Sequence, residues 1–152
     1  MPTHFDGFYQ LGFVARDRDA ATAMLSERYG ITDWRRKSAD WADTGHAYAG
    51  DIMIEVIAIT ALAPVLYHDY LPATRDAVLL HHHGFRVTDP ARWAAINADA
   101  DARGIATDVR GAAMNGDLNF LYVDTRADLG IYSEYVMLTG AAKGLYDDVP
   151  RN

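Results

Sequence analysis

Hydrophobic and polar positions alternate over residues 8–16, as in a half-buried strand. Tyr9, Leu11, Phe13 and Ala15 share one face, and Phe8, Gln10, Gly12 and Val14 the other. The period then lengthens. Asp17 or Asp19 is placed to cap a helix running to about Tyr29, because a short acidic side chain accepts from the free N–H groups of a first turn. Ala21, Met24, Leu25 and Tyr29 form its apolar stripe, and Gly30 ends it. Residues 31–37 predict a polar edge strand with Trp34 turned inward. Residues 41–49 predict a further strand, and Gly50 with Asp51 marks a turn. Residues 51–59 carry the strongest strand signal of this half, rich in Ile and Val. Ile52, Ile54, Val56 and Ala58 take one face, and Met53, Glu55, Ile57 and Ile59 the other.

Residues 61–79 break the pattern. Pro64 and Pro72 bracket a short helical stretch whose aromatic side chains need something to pack against. A strand over 80–87 follows. Asp89 and Pro90 then start a helix that buries Trp93, Ile96 and Ala100 and ends at Arg103 and Gly104. Strands are predicted over 105–110, 119–124 and 131–138, with a turn at 111–116 and no pattern in 139–152. Strand, helix and three strands therefore occur twice. The two first strands share a frame, Gln10-Leu11-Gly12-Phe13 and His82-His83-Gly84-Phe85, separated by nearly half of the 152 residues. Two copies are too few for a stacked array. They imply one domain, 1–152, made of two modules (8–59 and 80–138), a connector (60–79) and a tail (139–152).

Composition narrows the function. Half the residues are hydrophobic, enough for a sizeable core. The net charge is −7, and only Arg35-Arg36-Lys37 concentrates basic residues, which argues against a nucleic-acid partner. The absence of cysteine excludes disulfide and thiolate chemistry and fits a reducing cytoplasm. The first residues lack the regions of a signal peptide. No apolar run nears the ~20 residues that span a bilayer, so no membrane partner is expected.

Four side chains stand out. Glu55 lies in a strand that is apolar on both faces, where a bare carboxylate costs several kcal/mol. It needs an Arg partner, a proton or a metal. Glu134 has a similar setting within Tyr132-Ser133-Glu134-Tyr135-Val136. Gln10 and His82 occupy equal places in the two first strands. In a strand His82 points away from His81 and His83, so the three cannot serve one site. Two carboxylates, an imidazole and an amide oxygen suit Zn, Ni, Co, Mn or Fe(II) without choosing among them. An ion-paired Glu or a surface Gln explains either residue taken alone. Trp41, Tyr67, Tyr70 and Tyr122 fit either an aromatic pocket or plain core.

This layout resembles the vicinal oxygen chelate superfamily, which includes glyoxalase I, methylmalonyl-CoA epimerase, extradiol dioxygenases and bleomycin-resistance proteins. The resemblance covers residues 8–138. It rests on Gln10-Leu11-Gly12-Phe13-Val14-Ala15-Arg16-Asp17, Ile54-Glu55-Val56, His82-His83-Gly84-Phe85-Arg86-Val87 and Tyr132-Ser133-Glu134-Tyr135. It implies an α+β fold in which paired βαβββ modules form a curled, mixed eight-stranded sheet around a divalent metal ion. It also implies that Gln10, Glu55, His82 and Glu134 ligate that ion. The ligand set is most similar to that of glyoxalase I. Superfamily dioxygenases use two His and one Glu, and this chain has no His at the first position. The implied activity is that of a lyase or isomerase. It moves a proton on a small substrate chelated through vicinal oxygens, the ion acting as Lewis acid on a developing enediolate. Glu134 is the expected general base, with Glu55 a ligand or second base. A homodimer is also implied. The rival readings are an Fe(II)-dependent ring-cleaving dioxygenase and a metal-free small-molecule-binding protein. Two features depart from glyoxalase I: the longer connector at 61–79, and the lack of a basic group for glutathione carboxylates.

Overall fold

The computed structural model describes residues 4–107 and 109–152. Met1, Pro2 and Thr3, and Asp108 of the strand expected over 105–110, lie outside the described residues. The chain forms two compact units. One comprises Gln10–His81 with Asp148–Asn152, the other residues 4–9 with His82–Asp147.

The first unit holds most of β1 (Phe8–Ala15), then α1 (Arg18–Tyr29), β2 (Arg35–Ala39), β3 (Ala42–Ala49) and β4 (Ile52–Ile59), with strand order β2-β3-β4-β1. β1 runs parallel to β4, and the other pairs are antiparallel. α1 starts where the Asp17 side chain accepts from the Ala20 N–H and stops at Gly30, which takes the left-handed φ of 72°. Ala21 and Leu25 of α1 pack on Ala15, Ala47, Val56 and Ala58. The edge strand begins four residues later than its polarity predicts. Residues 31–34 serve instead as a loop that carries Ile31 and Trp34 into this core, and the indole N–H donates to the Ile31 carbonyl at 2.8 Å. The connector forms a 3-10 turn over Val65–Tyr70, pinned by stacking of Tyr67 on Trp41 and on His81. The last residues also belong here. Asn152 Oδ1 accepts from the Thr32 and Asp33 N–H groups, both at 2.9 Å.

The second unit holds most of β5 (Val78–Val87), then α2 (Pro90–Ala102), β6 (Val109–Ala113), β7 (Leu118–Val123), a short α3 (Arg126–Leu129) and β8 (Tyr132–Leu138), in order β5-β8-β7-β6. β5 is parallel to β8. Asp89 caps α2 through the Ala91 N–H, with Pro90 in the first turn. Phe85, Val87, Leu121, Val123 and Tyr135 pack against Ile96 of α2. β6 extends into the expected turn because Gly111 leaves room for its cross-strand partner. A Cβ there would meet the Phe120 ring at 2.6 Å. The turn shrinks to Met114–Gly116, where Met114 and Asn115 adopt left-handed φ. The tail is ordered too: a 3-10 turn over Gly140–Gly144 lays Ala142, Leu145 and Tyr146 on Val136 and Leu138.

The fold is thus the α+β, glyoxalase-like one expected, with two βαβββ modules carrying eight strands of mixed direction. Among the described residues no helix is long and apolar enough to cross a membrane.

Candidate functional site

The repeated frame has a repeated register. In the first unit Gly12 of β1 lies opposite Glu55 of β4. In the second, Gly84 of β5 lies opposite Glu134 of β8. Gln10 and His82 therefore sit two residues before the position facing the carboxylate strand's Glu. Strand alternation puts each on the same face as that Glu, away from the helix. Both are sealed, with Gln10 1% exposed and His82 fully buried. A buried polar side chain demands partners.

In the second unit His82 Nε2 and Glu134 Oε2 are 3.4 Å apart. That is long for a direct charge-assisted hydrogen bond. It matches the ~3.0–3.4 Å between two donors that each stand ~2.1 Å from one ion. Tyr122, the cross-strand partner of Glu134, presents its ring edge-on to His82 at 5.3 Å. In the first unit the cross-strand partner of Glu55 is His46, and His46 Nε2 lies 2.9 Å from Glu55 Oε1. Both are mostly buried, so this pair is screened weakly by water. The sequence reading missed His46. Its signal was the two-residue turn at Gly50 and Asp51, which puts the fourth residue before the turn opposite the fourth after it.

The three consecutive histidines divide as strand geometry requires. His81 stacks on Tyr67 at 4.6 Å and donates from Nε2 to the Leu66 carbonyl, which makes it a clamp on the connector. His83 meets Ser133 Oγ at 2.6 Å on the helix-facing side. Burial, and then the charge of His82, holds the His83 imidazole below its ordinary value. Tyr67 is buried and stacks on half-buried Trp41, Tyr70 sets its ring against His81, and Tyr122 joins the polar face. A separate cavity of about 650 Å³, lined by Phe13, Met24, Leu25, Ile54 and Val78, opens on the α1 side of the first unit. It is on the face opposite Gln10 and Glu55.

Among the described residues no three His, Asp or Glu side chains meet as a ready-made metal cluster. The test of an implied ion is therefore the donor chemistry and spacing within each unit. His82 and Glu134 meet it as an N/O pair at ligand separation. Glu55 is engaged by His46, and Gln10 supplies a buried amide two residues along β1 from the position opposite Glu55.

Neither a protein-family model nor a curated protein sequence matches the chain. Solved structures do. A variant of Streptomyces coelicolor methylmalonyl-CoA epimerase in complex with 2-nitronate-propionyl-CoA is similar with a TM-score of 0.62 and 15% identity, over 90% of this chain and 96% of that one. Methylmalonyl-CoA epimerase from Mycobacterium tuberculosis is similar with a TM-score of 0.60 and 13% identity, over 91% and 94%. A hypothetical protein from Bacillus halodurans is similar with a TM-score of 0.64 and 11% identity, over 89% and 96%. At these identities the likeness establishes the fold alone, one shared with these epimerases.

Proposed function

We propose that the protein is a metal-dependent isomerase or lyase of the glyoxalase-like type, moving a proton on a small substrate that offers two neighbouring oxygens. The observation that carries this reading is the duplicated register, in which a Gln or His and a Glu share one face of each module. Gln10, Glu55, His82 and Glu134 would hold the ion. When bound, a divalent ion supplies Lewis acidity that makes a carbon-bound proton beside a carbonyl removable.

The protein's own residues do the rest. Glu134 takes the proton at a carboxylate oxygen, and its poorly solvated side chain, 12% exposed, keeps that oxygen from being levelled by water. His82, fully buried, faces Glu134 with Nε2 at 3.4 Å as the second donor of the pair. Tyr122 closes one side of His82 against water. His46 holds Glu55 through Oε1 at 2.9 Å. In the second module a tyrosine stands where the first has this histidine, so the two carboxylates keep different cross-strand neighbours. That asymmetry favours Glu134 as base and Glu55 as ligand or second base.

Two similar structures are methylmalonyl-CoA epimerases, one of them binding 2-nitronate-propionyl-CoA. We therefore place acyl-CoA thioesters with an acidic α-hydrogen first among substrates, ahead of thiohemiacetals of 2-oxoaldehydes. The test is proton exchange in D2O followed by NMR. Metal-loaded protein should exchange the α-hydrogen of an acyl-CoA epimer or isomerise a thiohemiacetal, and Glu134→Gln should not. Oxygen uptake with a vicinal diol, and no exchange, would move the assignment to a ring-cleaving oxygenase. The cytoplasm and a homodimer complete the reading.

A further inference from the structure

Arg86 is a charged inward position of β5 that the proposed reaction leaves unused. Strand alternation puts residues 82, 84 and 86 on one face, while Phe85 and Val87 face α2. Arg86 therefore projects on the face of His82, about 13 Å farther along the strand at ~3.3 Å per residue. Its backbone is fixed. The Arg86 N–H donates to the Gly7 carbonyl at 2.8 Å, and Gly7, at φ 77°, packs so closely that a Cβ there would meet the Arg86 carbonyl oxygen at 2.2 Å. This contact also sets the path of the chain into Tyr9.

The side chain lies against a pair of touching rings, Tyr9 and Tyr146, whose centroids are 5.9 Å apart. The guanidinium carbon is 4.7 Å from the centroid of Tyr9 and 5.5 Å from that of Tyr146. Such contacts engage one side of the cation but none of its N–H donors. Nε and Nη2 are both buried and have no hydrogen-bond partner among the described residues. These two nitrogens form one edge of the guanidinium. It is the edge whose parallel N–H groups receive the two oxygens of a carboxylate or phosphate. A permanent cation with that edge buried and unpaired among the described residues is a rare arrangement, and such a fork calls for an oxyanion partner. The wider composition agrees: the chain carries a net charge of −7, yet among the described residues no acid is placed on this fork.

We propose that Arg86 is an anion-recognition residue whose Nε–Nη2 edge takes a carboxylate or phosphate of the substrate. Assigning that anion to the substrate rests on the proposed function; the capacity of the fork to bind an oxyanion does not. Both nitrogens are buried, so the anion that pairs with them is held out of water. The substrate so selected is acidic at a point remote from its chelating oxygens.

The experiment uses ¹⁵N-labelled full-length protein and observes the arginine Nε–H signals by NMR. Sodium acetate and inorganic phosphate are titrated separately, with sodium chloride at matched ionic strength as control. The Arg86 signal, identified by its absence in Arg86→Lys, should shift saturably with at least one oxyanion. The stronger of the two shows whether a carboxylate or a phosphoryl group is preferred. Arg86→Lys keeps the charge but not the fork, and its affinity, read from backbone amides, should fall about tenfold or more. An Arg86 signal that moves no further with either oxyanion than with chloride overturns the proposal, and so does equal affinity in Arg86→Lys. Metal loading is measured on the same samples. Oxyanion binding without metal leaves the role of Arg86 standing and sinks the proposed reaction; metal without oxyanion binding does the reverse.

Discussion

Glu134 and Glu55 hold the same register in their modules but keep different company. Glu134 faces a fully buried histidine at 3.4 Å, while Glu55 is bound by His46 at 2.9 Å. Glu134→Gln keeps an oxygen for coordination and removes the basic lone pair, so turnover should fall by ~10²–10⁴-fold while metal is retained. Near-wild-type turnover in steady-state assays of that variant would transfer the role to Glu55. The shared register of Gln10, Glu55, His82 and Glu134 was legible, because Glu55 and Glu134 are polar residues in apolar strands and Gln10 and His82 hold equal places in a repeated frame. His46 was legible only to a reader who trusted the two-residue turn at Gly50 and Asp51. The meeting of Tyr122 with Glu134 was not, because the link between β7 and β8 contains α3 and gives no fixed count across it. Arg86 was quoted in a motif but carried no signal of its own, since an unpaired edge is a property of the folded neighbourhood.

The two long helices were the most legible elements, and their starts explain why. Asp17 and Asp89 both accept from first-turn N–H groups. Asp89→Ala should lower unfolding free energy by about 1 kcal/mol in urea titrations, the usual cost of losing an N-cap. An unchanged midpoint would show that Pro90 alone suffices to start α2. The Asp17 carboxyl is held below its ordinary value of 3.8, first by the Ala20 N–H and then by Arg75. Its stabilising effect is therefore complete above that value and is lost as pH falls through the lower, folded-state value. Thermal melts across that acid window should fall more steeply for wild type than for Asp17→Asn, and parallel curves would contradict the cap's role. The less legible elements were those set by tertiary fit. β6 slid into a predicted turn because Gly111 admits Phe120, and residues 31–34 left the edge strand because Ile31 and Trp34 had a core to enter. The tail had no periodicity to read, because it is ordered by contacts made one residue at a time.

At the scale of the molecule, chain order and structural unit do not coincide. The last five residues serve the first unit, where Asp148 pairs with Arg35, the Pro150 carbonyl accepts from the Tyr48 N–H at 2.8 Å, and Arg151 lies 4.3 Å over the Tyr48 ring. Removing residues 148–152 should therefore cost about 2–3 kcal/mol of stability, a few net hydrogen bonds. Chemical denaturation that leaves the midpoint in place would show that the tail is decoration. The duplicated frame, by contrast, was legible from the start, because one register repeated twice leaves the same residue types at the same spacing. The central claim is that these duplicated donors hold a metal. The direct measurement is elemental analysis of protein prepared without a His tag and reconstituted with divalent ions, for wild type and His82→Ala. The account predicts about one ion per chain in wild type and most of it lost in His82→Ala, since loss of one ligand weakens an open site sharply. No ion in wild type, or an unchanged content in His82→Ala, would contradict it.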